Sequence, residues 1–293
     1  DLVIEAIFEN LEAKQALYRS LQEKMPAGAL LATNTSSIRL EDLREGLEAP
    51  QRFIGLHFFN PVAQLPLVEV IRCEDTEQDA LDIGFGFVKG IGKLPLECMS
   101  SPGFVVNRIL APYMAEAMEL AESGVPLAEI DRAAEAFGMP MGPVELVDSV
   151  GIDVALHVSK VLGAAMNRPV PQKLADMVEA GQLGRKSGQG FYRWESGKAV
   201  KPAAGASAAI DDIQDRLILP MVNEAVACLH DGVVTDDDLL DAGVIFGTGF
   251  APFRGGPLNY ARERGIDDVL ARLNEFTQRY GERFTPDGGF SRL

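Results

Sequence analysis

The chain has 293 residues, 47% of them hydrophobic and 24% charged, and 27 Lys and Arg stand against 43 Asp and Glu for a formal charge of −16. That length holds two or three domains with real cores, and the composition excludes disorder. No apolar run approaches the ~18 residues of a membrane helix, and so acidic a chain argues against nucleic acid, whose phosphates need positive surface. Any anionic ligand must be met by a local basic patch. Three cysteines, Cys73, Cys98 and Cys228, are odd in number and lack metal-ligand spacing. They read as free thiols of a reducing, cytoplasmic compartment, with no metal site. The chain opens at Asp1 without a Met and enters an apolar strand pattern at once, which reads as a fragment.

Short β-rich runs alternate with helical stretches over the first hundred residues, the pattern of a parallel sheet with crossovers. Strands are expected over 2–8, 30–33, 52–58 and 67–71. Leu11, Leu17, Leu21 and Met25 recur at helical spacing and predict an amphipathic helix between the first two strands. A second helix is expected after Asp75. From Pro102 the β signal fades and helical patterns take over, beginning with 105–122, so the fold class is α/β followed by all-α. An internal repeat organises this second part. Arg108, Pro112, Glu116 and Ala117 recur as Arg216, Pro220, Glu224 and Ala225 at a constant offset of 108, and Gly142-Pro143 and Gly151-Ile-Asp153 recur as Gly256-Pro257 and Gly265-Ile-Asp267. Between the copies, 195–209 has the small, polar, Pro- and Gly-containing composition of a flexible connection. The expected domains are 1–98, 99–195 and 210–293.

Three histidines limit the choice of a base that works near neutral pH. His157 lies in a helical stretch and His230 at a helix end, both ordinary surface positions. His57 closes the apolar run Phe53-Ile-Gly-Leu56, where a strand meets its loop, and ligands of open α/β sheets gather at such carboxyl ends. Glu69 sits within Leu67-Val68-Glu69-Val70, where a carboxylate is costly without a partner. Either it orients His57 from the neighbouring strand, or the strand is an edge with Glu69 facing water. Ser36 stands at another strand's carboxyl end, or else caps the helical pattern that opens at Ser37. Asn107 begins the first helical repeat, and its counterpart in the second copy is Asp215. Two glycine clusters do not carry nucleotide-binding signals: Gly84-Phe-Gly86 has the wrong spacing for a dinucleotide turn, and Gly184-Arg-Lys186-Ser187 lacks the strand and glycine of a phosphate loop. Arg185 and Lys186 remain a local positive spot for an anionic ligand or an interdomain contact.

Taken in order, Asp1-Leu-Val-Ile-Glu-Ala-Ile-Phe-Glu-Asn10, Asn34-Thr-Ser-Ser37, His57-Phe-Phe-Asn-Pro61, Leu67-Val-Glu-Val70, Pro102-Gly-Phe-Val-Val-Asn-Arg108 and Gly184-Arg-Lys-Ser-Gly-Gln-Gly-Phe-Tyr192 resemble the 3-hydroxyacyl-CoA dehydrogenase family. The duplicated helical unit, with Gly249-Phe-Ala-Pro-Phe-Arg-Gly-Gly-Pro257 in its second copy, resembles the dehydrogenase part of the multifunctional fatty-acid β-oxidation α-subunit. This resemblance implies the C-terminal half of a Rossmann-like parallel sheet followed by two repeated helical domains. It implies NAD-dependent oxidation of an L-3-hydroxyacyl-CoA thioester to the 3-ketoacyl-CoA. His57 is then the base, Glu69 its orienting partner, and Ser36 and Asn107 the hydrogen-bonding partners of the substrate oxygens. Glu9, Lys14 and Asn60 match cofactor-contacting positions, against local readings as a strand-end acid, a solvated helix lysine and a turn residue.

The family's glycine-rich turn lies upstream of Asp1, so the chain alone is expected to bind NAD poorly. Alternatives are a short-chain 3-hydroxybutyryl-CoA dehydrogenase and a non-catalytic assembly module. A thiolase β-subunit and a homo- or hetero-oligomer are the implied partners. Ser291-Arg-Leu293 resembles a peroxisomal address, read here as chance.

Overall fold

The computed structural model describes residues 1–26, 28–165, 170–202 and 210–293. It divides into two compact units, residues 1–107 with 228–247 and residues 108–227 with 248–293. The first is built on a five-stranded sheet in the order β1-β2-β3-β4-β5, comprising β1 (Leu2–Glu5), β2 (Leu30–Thr33), β3 (Phe53–Phe58), β4 (Leu67–Arg72) and β5 (Leu94–Met99). Helices α1 (Leu11–Gln22), α2 (Leu40–Leu43) and α3 (Gln78–Gly90) complete its first hundred residues. Leu30, Ala32, Ile54, Leu56, Val68 and Val70 form the buried centre of the sheet with Ala80, Leu81 and Val88 of α3. Gly84 lets α3 come this close, because a Cβ there would stand 2.6 Å from Ile54 Cδ1. Gly84 therefore serves helix packing, whereas Gly86 faces open space.

The sheet corrects the parallel expectation at one place. β1, β2 and β3 run parallel, as do β4 and β5, but β3 and β4 are antiparallel. Residues 59–66 between them are fewer than the dozen or so that a parallel crossover requires, so the chain must turn straight back. β5 was not expected, and it holds Pro95, which an edge strand tolerates. The stripe expected on α1 is also wrong: its buried residues are Lys14 and Tyr18, one turn apart, while Leu11 is exposed and Leu17 and Leu21 are only partly covered. β1 ends at Glu5, three residues short of its expected end.

Part of the second repeat belongs to the sheet unit. Met99 N–H donates to Val233 O at 2.8 Å, and α10 (Asp237–Thr248) packs so tightly on β5 that a Cβ at Gly243 would meet Leu96 at 2.5 Å.

The second unit holds most of α4 (Val106–Glu122) and α9 (Ile210–His230), with α5 (Leu127–Phe137), α6 (Pro143–Val150), α7 (Ile152–Ala165), α8 (Gln172–Glu179), α11 (Pro257–Arg264) and α12 (Ile266–Tyr280). The repeat is written into its ion pairs. Arg108 Nε bonds Glu224 Oε1 at 2.7 Å, and Arg216 Nε bonds Glu116 Oε1 at 2.7 Å, so each copy's arginine takes the other copy's glutamate. Two helices with Arg and Glu eight residues apart can exchange partners in this way only if they run antiparallel. Glu116 also accepts from Arg283 Nε at 2.8 Å and is buried. Removing one member of so enclosed a pair strands a charge, so Glu116→Ala is expected to destabilise the protein by about 3–5 kcal/mol, and Glu224→Ala, on the more exposed pair, by less. Urea unfolding midpoints of the two variants check this.

The connection expected over 195–209 opens with regular structure. β6 (Arg193–Glu195) and β7 (Lys198–Val200) form a hairpin whose two-residue turn, Ser196-Gly197, has positive φ at both positions, as the twist of a tight hairpin favours. Residues 203–209 lie outside the described residues. Asp148 gathers the 184–194 segment by accepting from Phe191 N, Tyr192 N and Trp194 Nε1 at 2.8–3.0 Å. The two basic residues there have partners within the unit: Lys186 pairs with Asp153, and Arg185 lies 5.8 Å from the Trp194 ring.

Candidate active site

The sheet places three of the expected residues at strand ends that face the same way. β1, β2 and β3 are parallel neighbours, and their carboxyl ends lead into Glu9, Ser36 and His57 respectively. Asn34 Oδ1 ties two of these ends together by accepting from Phe58 N at 2.9 Å.

His57 and Glu69 are register partners across the antiparallel β3–β4 pair, and His57 Nδ1 lies 2.6 Å from Glu69 Oε2. β4 is an interior strand and Glu69 is 0% exposed, so the edge-strand reading falls. Its other oxygen, Oε1, accepts from Val105 N at 3.0 Å and Val106 N at 2.9 Å. These are free amides at the start of α4, where a helix favours negative charge. The turn that aims them contains Gly103 and Phe104, both at positive φ, an uncommon conformation for an aromatic residue. Phe104 and Phe59 flank the imidazole at ring distances of 5.7 and 4.5 Å. With both Glu69 oxygens serving as acceptors, the proton of the neutral ring sits on Nδ1 and the lone pair on Nε2. His57 is buried, whereas His157 and His230 are exposed.

Asn107 follows Val106 directly, and its Nδ2 donates to Ser36 O at 3.2 Å. Ser36 is not a helix cap, since Arg39 occupies that place before α2. Its N–H and Oγ donate instead to Glu9 Oε1, at 2.6 and 3.1 Å. The structure therefore links all four proposed catalytic positions, from His57 through Glu69 to the helix start and from Asn107 to Ser36. Asp215, the repeat counterpart of Asn107, instead pairs with Arg264 and Arg272. The duplicated position has taken on a structural charge.

Of the three residues matched to the cofactor, Glu9 is part-exposed, Asn60 is exposed in the turn before Pro61, and Lys14 is not solvated at all. Its ammonium lies 2.7 Å from Glu5 Oε1 and 3.3 Å from Glu9 Oε2. Glu5, buried within β1, was missed. It offered the same signal as Glu69, an acid in an apolar strand run. It accepts from Lys14, Tyr18 Oη, Thr33 Oγ1 and Ile7 N. Burial acts to raise the Glu5 pKa, but these hydrogen bonds outweigh it and hold the carboxyl below its ordinary value. The unfolded chain then binds the proton more readily than the folded one. The contribution of Glu5 to stability is complete above about pH 4.5 and is lost as pH falls through the lowered folded value. Urea midpoints measured from about pH 6 down to about pH 3 are expected to fall along this limb, and less steeply in Glu5→Gln.

With this geometry in hand, the relatives are informative. Residues 1–101 match the model of the 3-hydroxyacyl-CoA dehydrogenase NAD-binding domain, and residues 103–194 match that of the 3-hydroxyacyl-CoA dehydrogenase C-terminal domain. The chain belongs to the 3-hydroxyacyl-CoA dehydrogenase family. It is 37% identical over 300 residues to the fatty acid oxidation complex subunit alpha of Vibrio parahaemolyticus, a match that covers 99% of this chain and 43% of that protein. The chain thus spans less than half the length of the curated relatives it matches. Among solved structures, it is similar to 3-hydroxybutyryl-CoA dehydrogenase from Escherichia coli K12, with a TM-score of 0.86 and 28% identity over 99% of this chain and 80% of that one. It is also similar to (S)-3-hydroxybutyryl-CoA dehydrogenase from Ralstonia eutropha, with 38% identity and a TM-score of 0.63 over 67% of this chain and 71% of that one. Among the described residues no helix is long and apolar enough to cross a membrane.

Proposed function

We propose that this chain carries the dehydrogenase site of a protein that oxidises L-3-hydroxyacyl-CoA thioesters to 3-ketoacyl-CoA in the cytoplasm. The observation that carries the reading is the buried His57–Glu69 pair, with His57 at the carboxyl end of β3 and Glu69 opposite it on the antiparallel β4, in a chain of this family. His57 Nε2 takes the proton of the substrate's 3-hydroxyl, and the Glu69 carboxylate balances the imidazolium that forms. Ser36 and Asn107 hold the substrate oxygens, with the Ser36 hydroxyl turning from Glu9 Oε1, its acceptor at 3.1 Å, to the substrate. The donor set also fits a dinucleotide: Glu9 offers a part-exposed carboxylate to ribose hydroxyls, and Asn60 an exposed amide to the nicotinamide end. NAD, when bound, supplies the hydride acceptor for C3.

The fatty acid oxidation complex subunits among the relatives support a longer parent protein that works in a complex, in which the partner we propose is a thiolase, and the two 3-hydroxybutyryl-CoA dehydrogenases support a short-chain preference. The test is NADH formation by the full-length protein with NAD and (S)-3-hydroxyacyl-CoA substrates of short and long chain. Turnover of the S but not the R enantiomer is expected. Absence of NADH formation with every chain length would overturn the reading.

A further inference from the structure

Glu5, Lys14 and Glu9 form a string rather than an isolated pair, and only its last member is appreciably exposed. The Glu5 side chain is 0% exposed and meets four donors: Ile7 N at 2.6 Å and Lys14 Nζ at 2.7 Å on one oxygen, Tyr18 Oη at 2.5 Å and Thr33 Oγ1 at 2.8 Å on the other. The Lys14 side chain is 1% exposed. Its three ammonium protons face three acceptors: Glu5, Ile7 O at 3.3 Å and Glu9 Oε2 at 3.3 Å. Glu9 is 15% exposed, and its second oxygen collects Thr35 Oγ1 at 2.7 Å along with both donors of Ser36.

Two carboxylates thus share one ammonium, and the inner one holds it more closely. We propose that Glu5 is a positioning residue for the cofactor side of the site, holding the Lys14 ammonium back so that Glu9 keeps accepting capacity for the ribose hydroxyls. The inference rests on the dehydrogenase reading above. Its physical basis is charge sharing. With Glu5 ionised, the three groups carry one net negative charge, and Glu9 is only partly compensated. With Glu5 made neutral, the full attraction of Lys14 falls on Glu9, whose oxygens then become poorer acceptors for a ligand hydroxyl. Glu5 thus acts on Glu9 through Lys14.

A double-mutant cycle on the full-length protein tests this, with NADH alone as the probe. Binding is followed by NADH fluorescence without acyl-CoA, thermal midpoints by circular dichroism, and the loss of activity is divided between KM for NAD and kcat. Glu5→Gln is expected to raise the NADH Kd about tenfold, the scale of a weakened charge-assisted hydrogen bond, with the larger part of the activity loss in KM. In a Lys14→Met background the same change is expected to add less than a twofold effect, because the path runs through Lys14. A purely structural Glu5 would lower the thermal midpoint and leave the Kd of the folded protein unchanged, and that result overturns the inference. So does an undiminished effect in the Lys14→Met background. If Glu5→Gln does not fold, Glu5→Asp keeps the charge but withdraws it from Lys14, and is expected to weaken NADH about threefold; a wild-type Kd there also overturns the inference. A wild-type protein that fails to bind NADH overturns the dehydrogenase reading itself, whereas normal wild-type binding with unaffected variants overturns only the role of Glu5.

Discussion

His57→Asn is expected to lower kcat/KM for 3-hydroxyacyl-CoA oxidation about 10³-fold, or about 4 kcal/mol of barrier, the middle of the range for loss of a general base. Asparagine is the informative substitution because its side-chain amide can still donate toward Glu69, so the buried carboxylate keeps a partner and the sheet keeps its pairing. What disappears is the lone pair that Nε2 presents. NADH affinity and the urea midpoint are expected to stay near wild type, since His57 has no part in the contacts of Glu9. Neither of the other histidines can substitute, because both are exposed helix residues. A variant with more than a tenth of wild-type kcat/KM would falsify the assignment of His57 as the base.

The second large effect is expected at Glu69, where one side chain does two jobs. Glutamine has one acceptor oxygen and one amide nitrogen for a site that presents donors on both sides. If the nitrogen faces Val105 and Val106, the start of α4 loses its acceptor. If it faces the imidazole, the ring must turn its lone pair to Nδ1 and carry its proton on Nε2, the wrong tautomer for a base. The first arrangement is paid for in stability and the second in rate. We expect Glu69→Gln to show a kcat loss of about 10²- to 10³-fold together with a stability loss of about 1–3 kcal/mol. Stopped-flow assays and urea denaturation on the same preparation separate the two. A variant that keeps its wild-type rate would mean that the carboxylate serves only the helix start.

The His57–Glu69 pairing was legible because an acid inside Leu-Val-Glu-Val has few physical options, and a histidine at the end of the preceding strand is one of them. The same logic applied to Glu5 in Leu-Val-Ile-Glu, but its donors come from α1, from the end of β2 and from the backbone just beyond β1. Spacing within one strand does not reveal them. Lys14 was misread for a related reason: the leucines of α1 suggest one face, while Lys14 and Tyr18 lie a turn apart on the face that is buried, drawn there by a carboxylate. The direction of β4 could have been read from the short 59–66 connection. The membership of 228–247 in the sheet unit could not, because it depends on packing such as that of Gly243 on Leu96, which leaves no periodic trace.

The exchanged arginine–glutamate bridges of α4 and α9 have a consequence for how this duplicated part can vary. Each bridge joins the start of one eight-residue interval to the end of the other, so an insertion or deletion inside either interval would put the two bridges out of phase with each other. Apolar positions along the two helices are free to drift one at a time with modest repacking. Length is not, and natural variants of this segment should differ in composition while keeping the same residue count between the charged ends.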